Sequence, residues 1–335
     1  MLQYILRRLL WMIPTIFGIT VLLLGVIQLA PGDPAAIATG GDMMSGGMSA
    51  TPGADTQSAY EKFREKYKLD EPLWVQYGSW ISSAAQLDFG REFFRPNVEV
   101  WDELLEKLKV TVPLSLVATL LSYLIALPVG IFSAVRRGSL TDKLVTLGLF
   151  LLYSLPTFWA GLMLILAFGT TGVDWFPVLG LHDKDAASFS DFDYVMDVVW
   201  HAVLPVATLT YGGVAYLSRQ MRVGMLETIK QDYIRTARAK GLDRRKIIFK
   251  HALRNSLIPV ITVFATILPI LIGGSVLVES IFNIPGMGLY AFEGLQVRDY
   301  NIIMATVSFS SVMTLLGFLL SDVLYAVVDP RIAYD

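Results

Sequence analysis

Six long runs without a charged residue constrain this chain more than any other feature. The runs cover residues 9–30, 110–135, 144–173, 198–218, 255–278 and 302–321. Each supplies the roughly 20 helical residues that cross about 30 Å of hydrocarbon. Lipid offers the backbone no hydrogen-bond partner, so continuous helices are the natural assignment, and the alternating pattern of a membrane β-barrel is absent. The sequence therefore predicts an all-α integral membrane protein with six transmembrane helices.

The first run also has the position of a signal peptide, because Arg7 and Arg8 precede it. A signal core has only roughly 7 to 15 apolar residues, whereas this run is longer and ends in Pro-Gly-Asp-Pro at 31–34. We therefore predict a retained first helix.

The placement of Lys and Arg sets the predicted orientation, because basic residues near helix ends stay in the cytoplasm. With the N-terminus inside, most of the 27 basic residues fall on the inner side, and many of them lie in residues 219–254. On the outer side, residues 186–197 contain acids but no basic residue. The sequence predicts that both termini are cytoplasmic (N-in/C-in).

These spans divide the chain into three predicted parts. Residues 1–30 are the cytoplasmic start and the first transmembrane helix, residues 31–109 are an extracytoplasmic segment with short helices, and residues 110–335 are a core of five helices that includes the cytoplasmic segment 219–254. Residues 39–56 are rich in Gly, Met, Ser and Thr. There Met43, Met44 and Met48 have no His or Cys beside them, so a flexible segment is favoured over capture of a soft metal.

Prolines within the runs have two interpretations. They permit bends in helices around a gated pathway, or they are ordinary in membrane helices. The prolines are Pro113, Pro128, Pro156, Pro205, Pro259 and Pro269.

Several kinds of chemistry are not expected in this chain. It has no cysteine, hence no disulfide or thiolate metal site, and its three histidines (His182, His201 and His251) lie on separate segments, so we predict no metal site. It has no G-x-x-x-x-G-K-[ST] loop for binding ATP. Its basic residues are clustered beside the membrane, which does not point to nucleic acid.

Residues 232–254 are strongly basic and lie between apolar runs. Apolar residues at helical spacing predict a short helix with one apolar face: Val223, Leu226, Ile229, Tyr233 and Ala237. Gly241 predicts the end of this helix, and Asp243 predicts the cap of the next one. Either the small residues of this turn enter a groove on a partner while its arginines meet acidic groups there, or the helix rests on anionic lipid.

Seven short motifs follow one another along the chain. They are MLQYILRRL at the start, PGDP at 31–34, YIRTARAKG at 233–241, HALRN at 251–255 followed by Pro259, ESIFNIPGMG at 279–288, RDY at 298–300 and DPRI at 329–332. Their order resembles that in permease subunits of the dipeptide/oligopeptide/nickel class of bacterial ABC importers, over nearly the whole chain and least at 35–56. One departure from the general importer loop is that Arg235-Thr236-Ala237 stands where Glu-Ala-Ala is usual, with Gly241 retained, so no role of that glutamate transfers to Arg235.

The resemblance implies a type I ABC importer permease fold in the inner (cytoplasmic) membrane. It implies a non-catalytic subunit without a cofactor, which moves di- or oligopeptides inward by alternating access; nickel complexes and oligosaccharides are the alternative solutes. The implied partners are a second homologous permease in a heterodimer, two ATPase subunits that hold ATP and Mg²⁺, an extracytoplasmic solute-binding protein and membrane lipid. The implied ATPase-docking residues of the coupling helix are Tyr233, Arg235, Thr236, Ala237, Arg238, Ala239 and Gly241.

The segment between the fifth and sixth predicted helices is a second candidate site. Glu279, Pro285, Gly286 and Gly288 predict an external gate or cap that faces the binding protein, with a simple Gly/Pro turn as the alternative. Because Glu279 and Asp322 lie near membrane interfaces, a solvated or structural role is favoured for both.

Two other classes of protein remain as alternatives. An ion-coupled secondary transporter needs ionisable residues at the midplane and usually internal inverted repeats, and neither is visible in the sequence. A membrane-anchored scaffold or receptor does not require six spans with a basic turn.

Overall fold

The computed structural model describes residues 2–38, 54–169, 172–183, 185–257, 259–260, 263 and 267–328. Regular structure within these ranges is helical, apart from an isolated β-bridge between Arg91 and Glu99. The all-α prediction is therefore confirmed for this part of the chain. The methionines at 43, 44 and 48 and the DPRI motif lie outside the described residues, so the predictions made for them stay predictions.

Fifteen α-helices are used below, numbered along the described chain, and the first fourteen are listed next. They are α1 (Leu2–Leu29), α2 (Pro34–Ala38), α3 (Ala54–Lys66), α4 (Leu73–Ala84), α5 (Val100–Val135), α6 (Leu140–Ser154), α7 (Thr157–Phe168), α8 (Asp191–Ile229), α9 (Asp232–Ala239), α10 (Arg244–Lys246), α11 (Leu253–Ser256), α12 (Ile267–Gly273), α13 (Val276–Ile281) and α14 (Met287–Val297). A final helix, α15, covers Tyr300–Val328. A 3₁₀ turn (Ala186–Ser188) precedes α8, and a π-helical segment (Ile247–Ala252) joins α10 to α11.

Four of these helices are long and apolar enough to cross a membrane. They are α1, α5, α8 and α15, which correspond to the first, second, fourth and sixth predicted spans. The helices α5 and α8 have 36 and 39 residues, so both are longer than the apolar run that predicted them. These four predicted spans are confirmed as helices.

The third predicted span is not one straight helix. The helix α6 ends at Ser154, α7 begins at Thr157, and the two are bent by 100° relative to each other. Proline lacks an amide hydrogen and disfavours helical geometry in the residue before it, and Leu155, just before Pro156, is extended with ψ 128°. The prediction of a continuous third helix was therefore wrong at Pro156.

The fifth predicted span is also divided. The helix α12 ends at Gly273, and Gly274 has φ +64°, a left-handed conformation that glycine adopts without strain. Ser275 then caps α13 by accepting a hydrogen bond from the backbone N–H of Val278. The described chain thus has four long membrane helices and one bent pair, rather than six continuous helices.

The chain forms two compact units. The first contains Met1–Lys109 and Gly286–Leu315, and the second contains Val110–Pro285 and Leu316–Asp335. Short helices predicted within residues 31–109 are present in the first unit as α3 and α4.

Two distant motifs meet in the first unit. Arg298 ends α14 in a left-handed conformation, and its guanidinium donates hydrogen bonds to the carbonyls of three residues: Ala30, Pro31 and Gly32. Beside them, Asp33 accepts hydrogen bonds of 2.6 Å from the Tyr60 hydroxyl and from Nη1 of Arg64. The PGDP and RDY motifs therefore join the end of α1 to α3 and α14.

Asp299, the next residue of the RDY motif, is fully buried. Its carboxylate accepts hydrogen bonds from the backbone N–H groups of Phe93, Asn301 and Ile302, and it thereby caps α15. Burial raises the pKa of Asp299 to about 6, with a contribution from the nearby charge of Glu92, although the three N–H donors act in the opposite direction.

The raised pKa of Asp299 predicts a dependence of stability on pH. Because the folded-state pKa lies above the unfolded value, the protonated form favours folding, and this stabilisation is lost as the pH rises from about 4 through about 6. The resulting difference in the free energy of unfolding is about 3 kcal/mol. The thermal unfolding temperature of the purified protein should therefore fall between pH 4.5 and about 7. In Asp299→Asn this fall should be smaller than in the wild type, whereas Glu61→Gln, at an exposed acid of α3, should show the same fall as the wild type. An unchanged pH profile in Asp299→Asn would show that this carboxyl does not titrate in that range.

In the second unit, α5 and α8 approach each other closely at a glycine. A Cβ atom added to Gly130 would lie 2.6 Å from Cβ of Met221 and 2.6 Å from the carbonyl oxygen of Ser218. Met221 is fully buried there and belongs to the apolar core that also holds α9. Small residues permit such close backbone approach between membrane helices.

Candidate functional site

The predicted docking segment begins at a break after α8. The helix α8 ends at Ile229, and Gln231, in an extended conformation, separates it from α9. In α9 the side chains of Ile234 and Ala237 are buried, with exposed fractions of 0% and 7%, whereas Tyr233 is 41% exposed. The predicted apolar face was therefore wrong at Tyr233, because the helical spacing does not continue across the break.

The buried side of α9 packs on the core of its own chain. Ile234 and Ala237 lie in one apolar cluster with residues of α8 and of the helical segment that follows α9: Leu217, Met221, Met225, Ile247, Ala252 and Val260. A bulkier residue at position 237 would therefore disturb this core. Ala237 therefore stabilises the turn by packing in this core, and its side chain is not part of the exposed surface.

Gly241 ends α9 as the sequence predicted. Its φ of +75° lies in the left-handed region, its N–H donates to the carbonyl of Arg238 (2.9 Å), and the N–H of Leu242 donates to the carbonyl of Ala237 (3.3 Å). These two hydrogen bonds form a Schellman motif, which satisfies carbonyl groups at the end of a helix.

The chain after Gly241 is held at three further points. Oδ2 of Asp243 accepts a hydrogen bond from the backbone N–H of Arg245 (2.9 Å) and caps α10, as predicted. Nη2 of Arg244 donates to the carbonyl of Val135 at the end of α5 (3.3 Å). Nδ2 of Asn255 donates to the hydroxyl of Tyr233 (2.8 Å), which links α11 back to α9. The turn is thus fixed to α5, α8 and α11.

The exposed side of this turn is polar and basic. Six of the seven predicted docking residues are exposed: Tyr233, Arg235, Thr236, Arg238, Ala239 and Gly241. Arg235 makes an exposed ion pair with Asp232 (3.4 Å), and such exposed pairs contribute little to stability. We define the docking turn as residues 231–243; its exposed side combines small side chains with positive charge, and its buried side is tied to the core.

A buried carboxylate between the α5–α6 turn and α8 was missed in the sequence. Asp142, in the first turn of α6, is 3% exposed and accepts hydrogen bonds from Nε and Nη2 of Arg222 in α8 at 3.3 and 3.1 Å. It also accepts from the hydroxyl of Ser133 and from the backbone N–H of Gly138 (2.9 Å). The α5–α6 turn and α8 are therefore joined through one carboxylate.

The sequence did contain a signal for this group. Asp142 is the one acidic residue between positions 107 and 173, where it is surrounded by apolar runs. An isolated acid in such a region is a candidate for a buried, paired carboxylate. Its partner, Arg222, lies 80 residues away and could not be identified by spacing.

Of the residues in the predicted cap, Glu279 and Pro285 lie in the second unit. Glu279 is 2% exposed, and its Oε1 accepts hydrogen bonds from the hydroxyl of Thr111 (3.2 Å) and the backbone N–H of Ser275 (3.3 Å). Pro285 is exposed. Of the two roles favoured for Glu279, the structure supports the structural one, because this side chain is not solvated.

The other two residues of the predicted cap, Gly286 and Gly288, belong to the first unit. Both are buried, and the carbonyl of Gly286 accepts a hydrogen bond from the backbone N–H of Tyr290 in the first turn of α14 (3.0 Å). Tyr290 in turn donates its hydroxyl hydrogen to Oε1 of the buried Glu92 (2.9 Å). These glycines therefore begin a packed helix, and a role in gating stays a prediction.

The sequence matches a known family over most of its length. Residues 126–334 match the family model described as the binding-protein-dependent transport system inner membrane component. The matched region includes α6 to α15 and the whole docking turn.

Curated relatives extend this likeness to the full chain. The oligopeptide transport system permease protein AppB of Bacillus subtilis is 40% identical over 334 residues, covering 100% of both chains. The dipeptide transport system permease protein DppB of Escherichia coli K12 is 37% identical over 350 residues, covering 100% of this chain and 99% of the relative.

A solved structure shares the fold. A chain from the inward-facing MetNI methionine ABC transporter aligns with 68% of this chain and 96% of its own length, with a TM-score of 0.52 and 18% sequence identity. At this identity the likeness bears on the fold alone.

Proposed function

This chain belongs to the family of inner membrane components of binding-protein-dependent transport systems, and from that premise we propose that it is the permease subunit of an ATP-driven importer of di- and oligopeptides. It is a multi-pass protein of the inner membrane. Two relatives that match it end to end are an oligopeptide and a dipeptide permease, which supports peptide as the solute. Nickel complexes and oligosaccharides remain the alternative solutes.

The observation that carries the coupling mechanism is the construction of the docking turn. Ile234 and Ala237 fix one side of α9 to the core, and the Schellman motif at Gly241 fixes its end. The opposite side is exposed and carries small and basic side chains. The docking turn is fixed to the core on its buried side and can contact a partner on its exposed side. This arrangement suits the transfer of motion from an ATPase to membrane helices.

The docking turn must be rigid because the conformational change requires a large free energy. Driving a two-state transporter from 1:99 to 99:1 takes about 5.5 kcal/mol of differential binding. Closure of the ATPases on ATP supplies this energy in the proposal, and the docking turn passes it to α8 and, through Arg244, to the end of α5. A helix that only rests on lipid could not transmit this free energy to the membrane helices.

The proposed topology retains six membrane crossings with both termini in the cytoplasm. In this arrangement the bent pair α6 and α7 forms the third crossing, and the divided segment through α12 and α13 forms the fifth. The docking turn lies in the cytoplasm, where the ATPases are. The fold shared with a chain of an inward-facing ABC transporter supports this arrangement.

The proposed assembly has four kinds of partner. A second homologous permease forms a heterodimer with this chain, two ATPase subunits bind ATP and Mg²⁺, a solute-binding protein delivers the peptide outside, and lipid surrounds the spans. The family description names a binding-protein-dependent system, which supports the third of these. In the proposal, the segment around Glu279 and Pro285 faces the binding protein, and the chemistry of ATP hydrolysis lies on the partner subunits.

Purification from the native membrane tests the proposal. Mild detergent extracts of the tagged chain should contain a sister permease and ATPase subunits. After reconstitution in liposomes, ATP hydrolysis should rise severalfold when peptide-loaded binding protein is added. A chain that is recovered alone after crosslinking, and that takes up peptide with an ion gradient and no ATP, would instead identify an ion-coupled transporter. Stimulation by a nickel complex or an oligosaccharide, but not by peptide, would change the solute and leave the importer class intact.

A further inference from the structure

A cluster of three titratable side chains that could hold a metal ion lies outside the docking turn and the predicted cap. In the second unit, Asp183, which follows α7, meets Asp197 and His201 in the N-terminal part of α8, and one candidate ligand atom from each lies within 4.8 Å of the others. His201 is buried, with 4% of its surface exposed. The prediction of no metal site rested on the three histidines lying on separate segments. A site with one histidine and two carboxylates does not need the histidines to converge, and these two carboxylates come from separate elements.

The contacts of His201 fix which ring nitrogen carries the proton. Nδ1 lies 2.9 Å from the carbonyl oxygen of Asp197 and 3.1 Å from Oδ1 of the same residue. Both atoms are acceptors, so Nδ1 must be the donor. In neutral imidazole the other nitrogen, Nε2, then presents a lone pair.

That lone pair points at another acceptor. Within the described residues, the polar contact of Nε2 is Oδ1 of Asp183 at 3.7 Å. This distance is longer than a hydrogen bond, and a lone pair facing a carboxylate is repulsive unless a cation lies between them. Either a proton on Nε2 or a metal ion can fill this role.

The separation favours a metal ion over a proton. Two ligands at the usual zinc distances of about 2.0 to 2.2 Å and a tetrahedral angle lie roughly 3.4 Å apart, which is close to the observed 3.7 Å. Nitrogen with oxygen is a common ligand pair for Zn²⁺, whereas Mg²⁺ and Ca²⁺ prefer oxygen alone. Two carboxylates beside one imidazole also give the cluster a negative charge, which attracts a divalent cation.

Asp197 has the position of a supporting group. One of its oxygens lies beside Nδ1 of His201, and the other, Oδ2, accepts a hydrogen bond from the backbone N–H of Asp183 (2.8 Å). It therefore orients both prospective ligands, as carboxylates behind metal-bound histidines commonly do.

We propose that His201 Nε2 and the Asp183 carboxylate bind a zinc ion, with Asp197 orienting both ligands. The ion connects the segment after α7 to the first turns of α8, and water completes its coordination. This inference uses only these side chains and does not depend on the proposed function.

Zinc binding to the purified complex tests the proposal directly. The complex is prepared in metal-free buffer and titrated with Zn²⁺ by calorimetry, in parallel with complexes carrying His201→Gln, Asp183→Asn or, as a matched control, Asp191→Asn at an exposed acid of α8. The wild type and the control should bind one more Zn²⁺ per chain than His201→Gln. Asp183→Asn should weaken this binding at least 10-fold, and equimolar Mg²⁺ should not displace the zinc.

Equal zinc stoichiometry and affinity in all four complexes would overturn the proposal and leave a proton as the bridging cation. The side chain of Asp183 is largely exposed, so Asp183→Asn keeps the proposal testable if His201→Gln does not fold. As a second readout, Zn²⁺ should raise the thermal unfolding temperature of the wild type by more than that of Asp183→Asn at the same zinc concentration.

Discussion

The variant Ala239→Trp is expected to abolish peptide uptake while the chain still inserts and folds. Ala239 lies on the exposed side of the docking turn, so a large side chain there meets no core residue of its own chain. A partner groove shaped for a small residue cannot admit an indole ring, because overpacking a close-fitting contact is strongly unfavourable. ATPase subunits should then be lost from the purified complex, and uptake should fall at least tenfold.

Retention of the ATPase subunits is the decisive measurement for this variant. Ala59→Trp, at an exposed alanine of α3, is the matched control and should keep the ATPases bound. Ala237→Trp provides a contrast, since Ala237 is buried and its replacement should lower stability as well as uptake. If Ala239→Trp keeps both its ATPases and normal uptake, the docking turn does not contact them at this residue.

The variant Arg222→Met is expected to destabilise the protein more than any surface change. It leaves the buried carboxylate of Asp142 without its cationic partner, although Ser133 and Gly138 still donate hydrogen bonds. Breaking a buried ion pair from one side costs roughly 3 to 5 kcal/mol. The lower end of this range is expected because Arg222 retains some contact with solvent.

Chemical or thermal unfolding in detergent measures this loss. Arg219→Met removes an exposed arginine from the same helix and should change stability little. In Asp142→Asn/Arg222→Met the buried charge is also removed, so the double variant should be more stable than the sum of the single changes predicts. Strict additivity of the two changes would mean that the two side chains do not interact.

The sequence predicted the parts of the fold that depend on local chemistry. The long apolar runs gave α1, α5, α8 and α15, and the turn chemistry of Gly241 and Asp243 matches their observed roles. These features depend on residues close together in the chain, where hydrophobicity, backbone conformation and capping act directly.

The features that were missed depend on distant contacts or on breaks in a helix. Pro156 turns an apparently continuous span through 100°, although other prolines, such as Pro205, lie within unbroken helices. The positions of the prolines in the sequence do not show which of them bends a helix and which lies within an unbroken one. Because the helix breaks at Gln231, Ile234 lies on the buried face of α9 where Tyr233 was predicted. The ion pair between Asp142 and Arg222 joins elements that only the tertiary fold brings together.

Site-directed crosslinking from the docking turn tests the central claim most directly. The chain contains no cysteine, so Ala239→Cys provides a single reactive thiol on the exposed side of α9, and Ser188→Cys provides one on the segment before α8. With a short thiol-to-amine crosslinker applied to native membranes, the proposal predicts a product between position 239 and an ATPase subunit, with a yield that changes when ATP is bound. Ser188→Cys should give no such product. A reactive thiol at position 239 that yields no crosslink to an ATPase would contradict the account.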